Sequence, residues 1–130
     1  MNDLEFLSDY YKKCADFLLW TDVTENIIAA KKMILATQSS GNKLIFAGNG
    51  ASASIANHAS LDFTKQGKVK SVNFNESAFI TAFANDYGYE HWVEKALEFY
   101  GDAGDTLILI SCSGTSSNVV NAAKYANKNG

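Results

Sequence analysis

The sequence predicts an α/β domain built on an open parallel sheet and preceded by a pair of helices. Three observations lead there. Three short runs, Lys43 to Ala47, Lys70 to Asn75 and Thr106 to Ser111, are strand candidates by length and by their β-branched or aromatic residues. Helical segments separate them, which calls for parallel pairing through right-handed crossovers. Each run also ends in a cluster of small polar residues, and ligands of an open parallel sheet bind at the carboxyl ends of its strands.

In chain order, "FLSDYYKKCADFLLW" places Phe6, Leu7, Tyr10, Tyr11, Cys14, Phe17 and Leu18 at intervals of three and four, one face of a helix. "TENIIAAKKMILATQ" repeats the pattern with Ile27, Ile28, Met33, Ile34 and Leu35, and Thr24 reads as its N-cap. Residues 1–40 are thus expected to be helical, and 1–130 to form one domain. The first strand runs into "GNGAS" and then a helix from Ser52 to Phe63. After the second strand, "ESAFITAFAND" and "YEHWVEKALEFYG" are helical by period. The last strand, "TLILIS", leads through "SCSGTSS" into "NVVNAAKYANKNG", an amphipathic helix closed by Gly130.

Composition removes several function classes. The chain is 130 residues long with 47% hydrophobic and 19% charged residues. No eighteen-residue apolar run or signal-like start is present, so a cytoplasmic protein without a membrane span is expected. A net charge of −3 and scattered lysines leave no basic stripe for nucleic acid. Cys14 and Cys112 stand in unrelated contexts and read as reduced thiols rather than a disulfide.

The chemistry is expected in the turns. "GNGAS" alone is compatible with a plain βα turn. "SCSGTSS" says more, because five hydroxyl residues surround one glycine at the start of a helix. Hydroxyls, free backbone N–H groups and the helix dipole make a neutral phosphate cradle. The lysine of a nucleotide-triphosphate loop is missing, so no nucleotide cofactor is expected and a small phosphorylated metabolite fits better. His58 and Asp62, four residues apart, share one helix face.

"GNGASA", with His58 and Asp62 behind it, "FANDYG" and "ISCSGTSSNV" together resemble the three signature segments of the sugar isomerase (SIS) domain family, in its phosphoheptose isomerase branch. The resemblance runs from the N-terminal helices to Gly130. It implies a three-layer α/β/α sheet of flavodoxin or Rossmann type, in an enzyme that interconverts sedoheptulose 7-phosphate and D-glycero-D-manno-heptose 7-phosphate on the way to lipopolysaccharide or capsule heptose. It also implies that Asn49, Gly50, Ala51 and Ser52 line the substrate and that Asn85 and Asp86 meet sugar hydroxyls. Ser111, Cys112, Ser113 and Ser116 would hold the phosphate. His58 matches a histidine that binds zinc in some members, and Asp62 a glutamate that is both a metal ligand and the catalytic base. Members are typically tetramers with shared active sites, which implies a homo-oligomer here.

Two departures accompany the resemblance. Asp62 stands where the family has glutamate, about 1.5 Å shorter, and a base displaced that far loses on the order of a hundredfold in rate. The family also continues with another strand and a long helix carrying a glutamine and a histidine of the metal site, so the chain reads as a truncated version. Isomerisation needs a base at the carbon next to the carbonyl, an electrophile on the carbonyl oxygen and stabilisation of the enediol. Asp62 reads as the base, and His58 or a bound zinc as the electrophile. The alternative is a non-catalytic SIS module of the replication initiator-associating type, which keeps the fold and binds a phosphosugar or a protein.

Overall fold

The structure, a computed structural model, describes residues 2–130. The chain divides into two compact units, Met1–Lys31 and Lys32–Gly130, and the division falls inside a helix.

In the first unit, α1 (Asp3–Ala15) opens with a capping box. The Asn2 side chain accepts from the Glu5 N–H at 2.9 Å, and the Glu5 carboxylate accepts from the Asn2 N–H at 3.1 Å. Asp3 and Glu5 in the first turn and Lys12 and Lys13 in the last complement the helix dipole. Beyond Ala15 the helix does not continue regularly; Asp16–Trp20 form a π-helical turn. Helix α2 (Thr24–Ser39) follows, and here the expected cap is corrected. Thr24 already belongs to the helix, and the Ile27 N–H bonds to the Val23 carbonyl. The capping oxygen comes from Asp22, which accepts from the Thr24 N–H at 3.0 Å. That backbone bond, seconded by the Thr24 hydroxyl, holds the Asp22 carboxyl below its ordinary pKa.

The second unit carries the sheet: β1 (Leu44–Gly48), β2 (Ser71–Asn73) and β3 (Thr106–Ile110), all parallel, in the order β2-β1-β3. Leu44 pairs with Ser71 on one side and with Thr106 on the other. Between the strands come α3 (Ala51–Lys65), then α4 (Ser77–Tyr87) and α5 (Trp92–Tyr100); α6 (Ser117–Asn129) follows β3. The expected parallel α/β sheet is therefore present. Strand β2 is shorter than expected because Asn75 leaves the strand, its N–H bonding to the Asn73 side chain.

Alternation along β1 builds the layers. All five of its residues are buried. Ile45 and Ala47 face a cluster with Trp92, Val93, Leu97 and Ala122 of α5 and α6. Leu44 and Phe46 point the other way, to Ala56 and Val69, with Ile34 and Phe63 packed alongside. Each fully buried side chain of this size contributes about 1.5–3 kcal/mol. The end of α2 joins this second layer through Thr37, whose hydroxyl lies 2.6 Å from that of Thr106.

The foot of the sheet is pinned electrostatically. Lys43 Nζ lies 2.6 Å from Asp102 Oδ2 and 2.6 Å from Asp105 Oδ2, while the Lys43 N–H donates to Asp105 Oδ1 at 2.9 Å. Burial pushes the Asp105 carboxyl up, but the lysine and two backbone N–H donors outweigh it and leave its pKa lowered. Burial pushes Lys43 down, and its two aspartates more than reverse this, so its pKa is raised.

Candidate active site

The order β2-β1-β3 puts the topological switch point between β1 and β3, and the two turns that follow these strands meet there. Gly48 ends β1 in a place where no side chain fits. An added β-carbon would lie 2.7 Å from the Ser52 carbonyl oxygen. Gly50, with φ at +56°, supplies the backbone conformation that starts α3 without a side-chain cap. "GNG" is thus dictated by close approach at one glycine and by dihedral angle at the other.

On the β3 side, Gly114 has φ at +66° and turns the chain toward α6. The loop hydroxyls partly satisfy its own backbone: Ser111 Oγ accepts from the Gly114 N–H at 3.1 Å and Ser113 Oγ from the Thr115 N–H at 3.3 Å. Ser116 occupies the N-cap position of α6, yet its hydroxyl makes no capping hydrogen bond. It remains available for a ligand.

Together the two turns enclose an open cleft of about 280 Å³ lined by Asn49, Ala51, Ser52, Ile110, Ser111, Cys112, Ser113 and Ser116. All but Ile110 were singled out from the sequence, and no cationic side chain is among them. Two helix N-termini, those of α3 and α6, border this space. A neutral cleft of hydroxyls between two positive helix ends suits a phosphate monoester.

His58 and Asp62 lie elsewhere. Nε2 of His58 is 3.2 Å from Oδ2 of Asp62, with the side chains 76% and 50% exposed. They share a shallow concavity with Ser54, Ile55, Ala59 and Phe63. Positions 51, 54, 55, 58 and 62 follow the three- and four-residue spacing of one α3 face. A strip therefore leads from Ala51 in the cleft to His58, about 10 Å along the axis, and on to Asp62.

Asn85 and Asp86 sit exposed at the end of α4, the Asn85 amide donating to Asp86 Oδ1 at 2.9 Å, and neither lines the cleft. The "NFNES" turn after β2 also stays outside it and braces α3: Asn73 Nδ2 donates to Ser60 Oγ and Asn75 Nδ2 to Asn57 Oδ1, each at 2.7 Å. Two residues that sequence reading did not single out do reach the site. Buried Asn118 exchanges two hydrogen bonds with Asn49, and the Tyr89 hydroxyl donates to Asn49 Oδ1 at 3.1 Å. Asn118 lies inside the quoted "ISCSGTSSNV"; nothing local marks its partner.

The donor set for zinc is incomplete among the described residues. His58 and Asp62 supply two donors, and no group of three or more His, Cys, Asp or Glu side chains comes together. Protein zinc sites take three or four ligands. These residues alone do not hold the metal. No helix among the described residues is long and apolar enough to cross a membrane.

Comparison with known proteins agrees with this geometry. The SIS domain family model matches residues 9–130. The phosphoheptose isomerase of Aliarcobacter butzleri is 36% identical over 78% of this chain and 57% of that protein. That of Aneurinibacillus thermoaerophilus is 32% identical over 95% of this chain and 70% of that protein. Among solved structures, the phosphoheptose isomerase of Francisella tularensis superposes with a TM-score of 0.86 at 25% identity, covering 99% of this chain and 72% of that one. The Neisseria gonorrhoeae phosphoheptose isomerase gives 0.79 at 30% identity, over 98% and 71%. The chain spans a little over half the length of most of the curated relatives it matches. With its signature turns meeting at the switch point and a family match over nearly its whole length, the chain belongs to the SIS domain family, where its relatives are phosphoheptose isomerases.

Proposed function

We propose that this chain is the substrate-binding and base-bearing part of an aldose–ketose isomerase that interconverts sedoheptulose 7-phosphate and D-glycero-D-manno-heptose 7-phosphate. The observation that carries the reading is the cation-free cleft between the "GNGAS" and "SCSGTSS" turns. In this reading the phosphate sits on Ser111, Ser113 and Ser116, with the Cys112 segment and the first turn of α6 around it. The sugar extends past Gly50, Ala51 and Ser52 along the exposed strip of α3. Asn85 and Asp86 meet its hydroxyls once their segment packs over the ligand.

Asp62 is the base in this scheme. A carboxylate close to the phosphate dianion would be repelled, whereas one two to three helical turns away is free to take the proton beside the carbonyl. His58, in contact with Asp62, donates toward the carbonyl oxygen and stabilises the enediol. Zinc, when supplied with further ligands, would act as a Lewis acid at that oxygen.

The same reading puts the protein in the cytoplasm, in the supply of heptose to lipopolysaccharide or capsule. It also makes the chain a homo-oligomer, most simply a tetramer. Phe17, Leu18, Leu19 and Trp20 are 70–81% exposed in the first unit, and a run of four such side chains calls for cover. A second reading, a non-catalytic phosphosugar-binding module, draws support from the 76% exposure of His58. A proton NMR assay with sedoheptulose 7-phosphate, with and without zinc, decides between them: exchange of the C1 proton with solvent and appearance of the aldose mark the enzyme, and binding without exchange marks the module.

A further inference from the structure

Asn49 is the polar side chain of the first turn, and the protein itself occupies it. Its Oδ1 accepts from Asn118 Nδ2 at 2.8 Å and from the Tyr89 hydroxyl at 3.1 Å, and its Nδ2 donates to Asn118 Oδ1 at 2.9 Å. A carboxamide has two donor hydrogens and two acceptor lone pairs, so three of the four places are taken. The partners come from remote parts of the chain: Asn118 is in the first turn of α6 and Tyr89 follows α4.

We infer that Asn118 and Tyr89 are positioning residues of the sugar phosphate site, acting through Asn49; this rests on the function proposed above. The Asn49 carboxamide is then a knot between three segments rather than a grip on the sugar. Its ties to Asn118 fix the spacing between the two turns of the cleft, so that the ligand meets backbone N–H groups and hydroxyls already in place. Asn118 is 2% exposed, so removing its partner strands a buried amide. Tyr89 differs. At 53% exposure its bond is open to water and breaks readily. It ties the segment bearing Asn85 and Asp86 to the cleft, and so transmits the state of one to the other.

The test uses the ¹⁵N-labelled 130-residue chain, with side-chain amides assigned and inorganic phosphate and sedoheptulose 7-phosphate as probes. Without ligand, Tyr89→Phe is expected to shift the Asn49 side-chain amide resonance and to speed backbone exchange at residues 85–88 about fivefold, leaving 111–116 unchanged. Asn118→Ala is expected to speed exchange in both 48–52 and 111–116. If it fails to fold, Asn118→Asp keeps the size and one acceptor while setting a carboxylate oxygen against Asn49 Oδ1. With ligand, Asn118→Ala weakens both probes about tenfold, while Tyr89→Phe weakens only the sugar phosphate. An Asn49 resonance indifferent to Tyr89→Phe overturns the inference. So does sedoheptulose 7-phosphate stripping protection from the Asn118 side-chain amide in the unmodified chain, which would make Asn49 a direct ligand. If the unmodified chain binds neither probe, the functional reading fails and the role in a sugar phosphate site with it, and the ligand-free measurements then decide only whether Asn118 and Tyr89 hold their segments through Asn49.

Discussion

Gly48 passes so close to Ile110 that a β-carbon on it would lie 2.9 Å from the Ile110 carbonyl oxygen. The Ser52 carbonyl oxygen crowds the same position, at 2.7 Å. Both obstacles are backbone atoms, so neither moves without displacing β3 or the start of α3. Gly48→Ala is expected to destabilise the fold by about 1–3 kcal/mol and to open the cleft. Urea unfolding and inorganic phosphate binding, measured side by side, should both fall; an unchanged midpoint contradicts the close packing described.

Ser113 and Ser116 are expected to matter for binding more than for folding. The Ser116 hydroxyl makes no capping bond, so Ser116→Ala should leave the melting temperature in place while weakening sedoheptulose 7-phosphate about fivefold. Ser113→Ala also frees the Thr115 N–H, and a slightly larger loss is expected. Calorimetric titration checks both. Undiminished affinity in the pair of variants would reduce the loop to a helix start.

Asp62→Asn is expected to keep sugar phosphate affinity within about twofold and to abolish proton exchange at the carbon beside the carbonyl. Asp62→Glu, restoring the reach of the family's residue, should raise any turnover by up to about a hundredfold. The readout is solvent deuterium incorporation by NMR. Undiminished exchange in Asp62→Asn removes this residue from the base role.

Acid and alkali should each weaken the foot of the sheet, acting on opposite ends of the Lys43–Asp105 pair. The Asp105 pKa is lowered, so its contribution is present above the ordinary carboxylate value of about 3.9 and is lost as pH falls through the folded-state value. The Lys43 pKa is raised, so its contribution is present below about 10.4 and is lost as pH rises through the folded-state value. The contribution of this pair should be flat from about pH 6 to 9. Asp105→Asn should lower that plateau and flatten both limbs in urea titrations across pH.

Replacing Leu18 and Trp20 together by aspartate is expected to shift sedimentation toward the monomer without changing the circular dichroism of the sheet unit. A monomeric unmodified chain at micromolar concentration refutes the oligomer.

The sheet was legible because its code is local. Apolar runs mark the first and third strands, the spaced Val72 and Phe74 mark the second, the alternation of Leu44 and Phe46 with Ile45 and Ala47 sorts the two layers, and small polar residues sit where strands hand over to helices. The His58 and Asp62 contact was legible for the same reason, since spacing by four needs only the helix. What escaped was non-local or marginal. Thr24 and Asp22 compete for one cap over two residues, and the N-cap preference for Asp over Thr is slight. The π-helical turn at Asp16–Trp20 interrupts a periodicity that continues through it in the sequence. Asn118 and Tyr89 meet Asn49 across 69 and 40 residues, and no pattern in the chain announces such a meeting.

The absence of a cationic side chain from the cleft lining shapes how a ligand arrives as well as how it is held. Partial charges on N–H groups and hydroxyls act over a few ångströms and exert no pull across solvent. The chain's net charge of −3 works weakly against an approaching dianion. Encounter is thus governed by diffusion and by geometry at contact, and added salt should leave association rates level or raise them slightly. Polyphosphates, which reward long-range attraction, gain no advantage at such an opening, and a single monoester on a neutral carbon chain loses none.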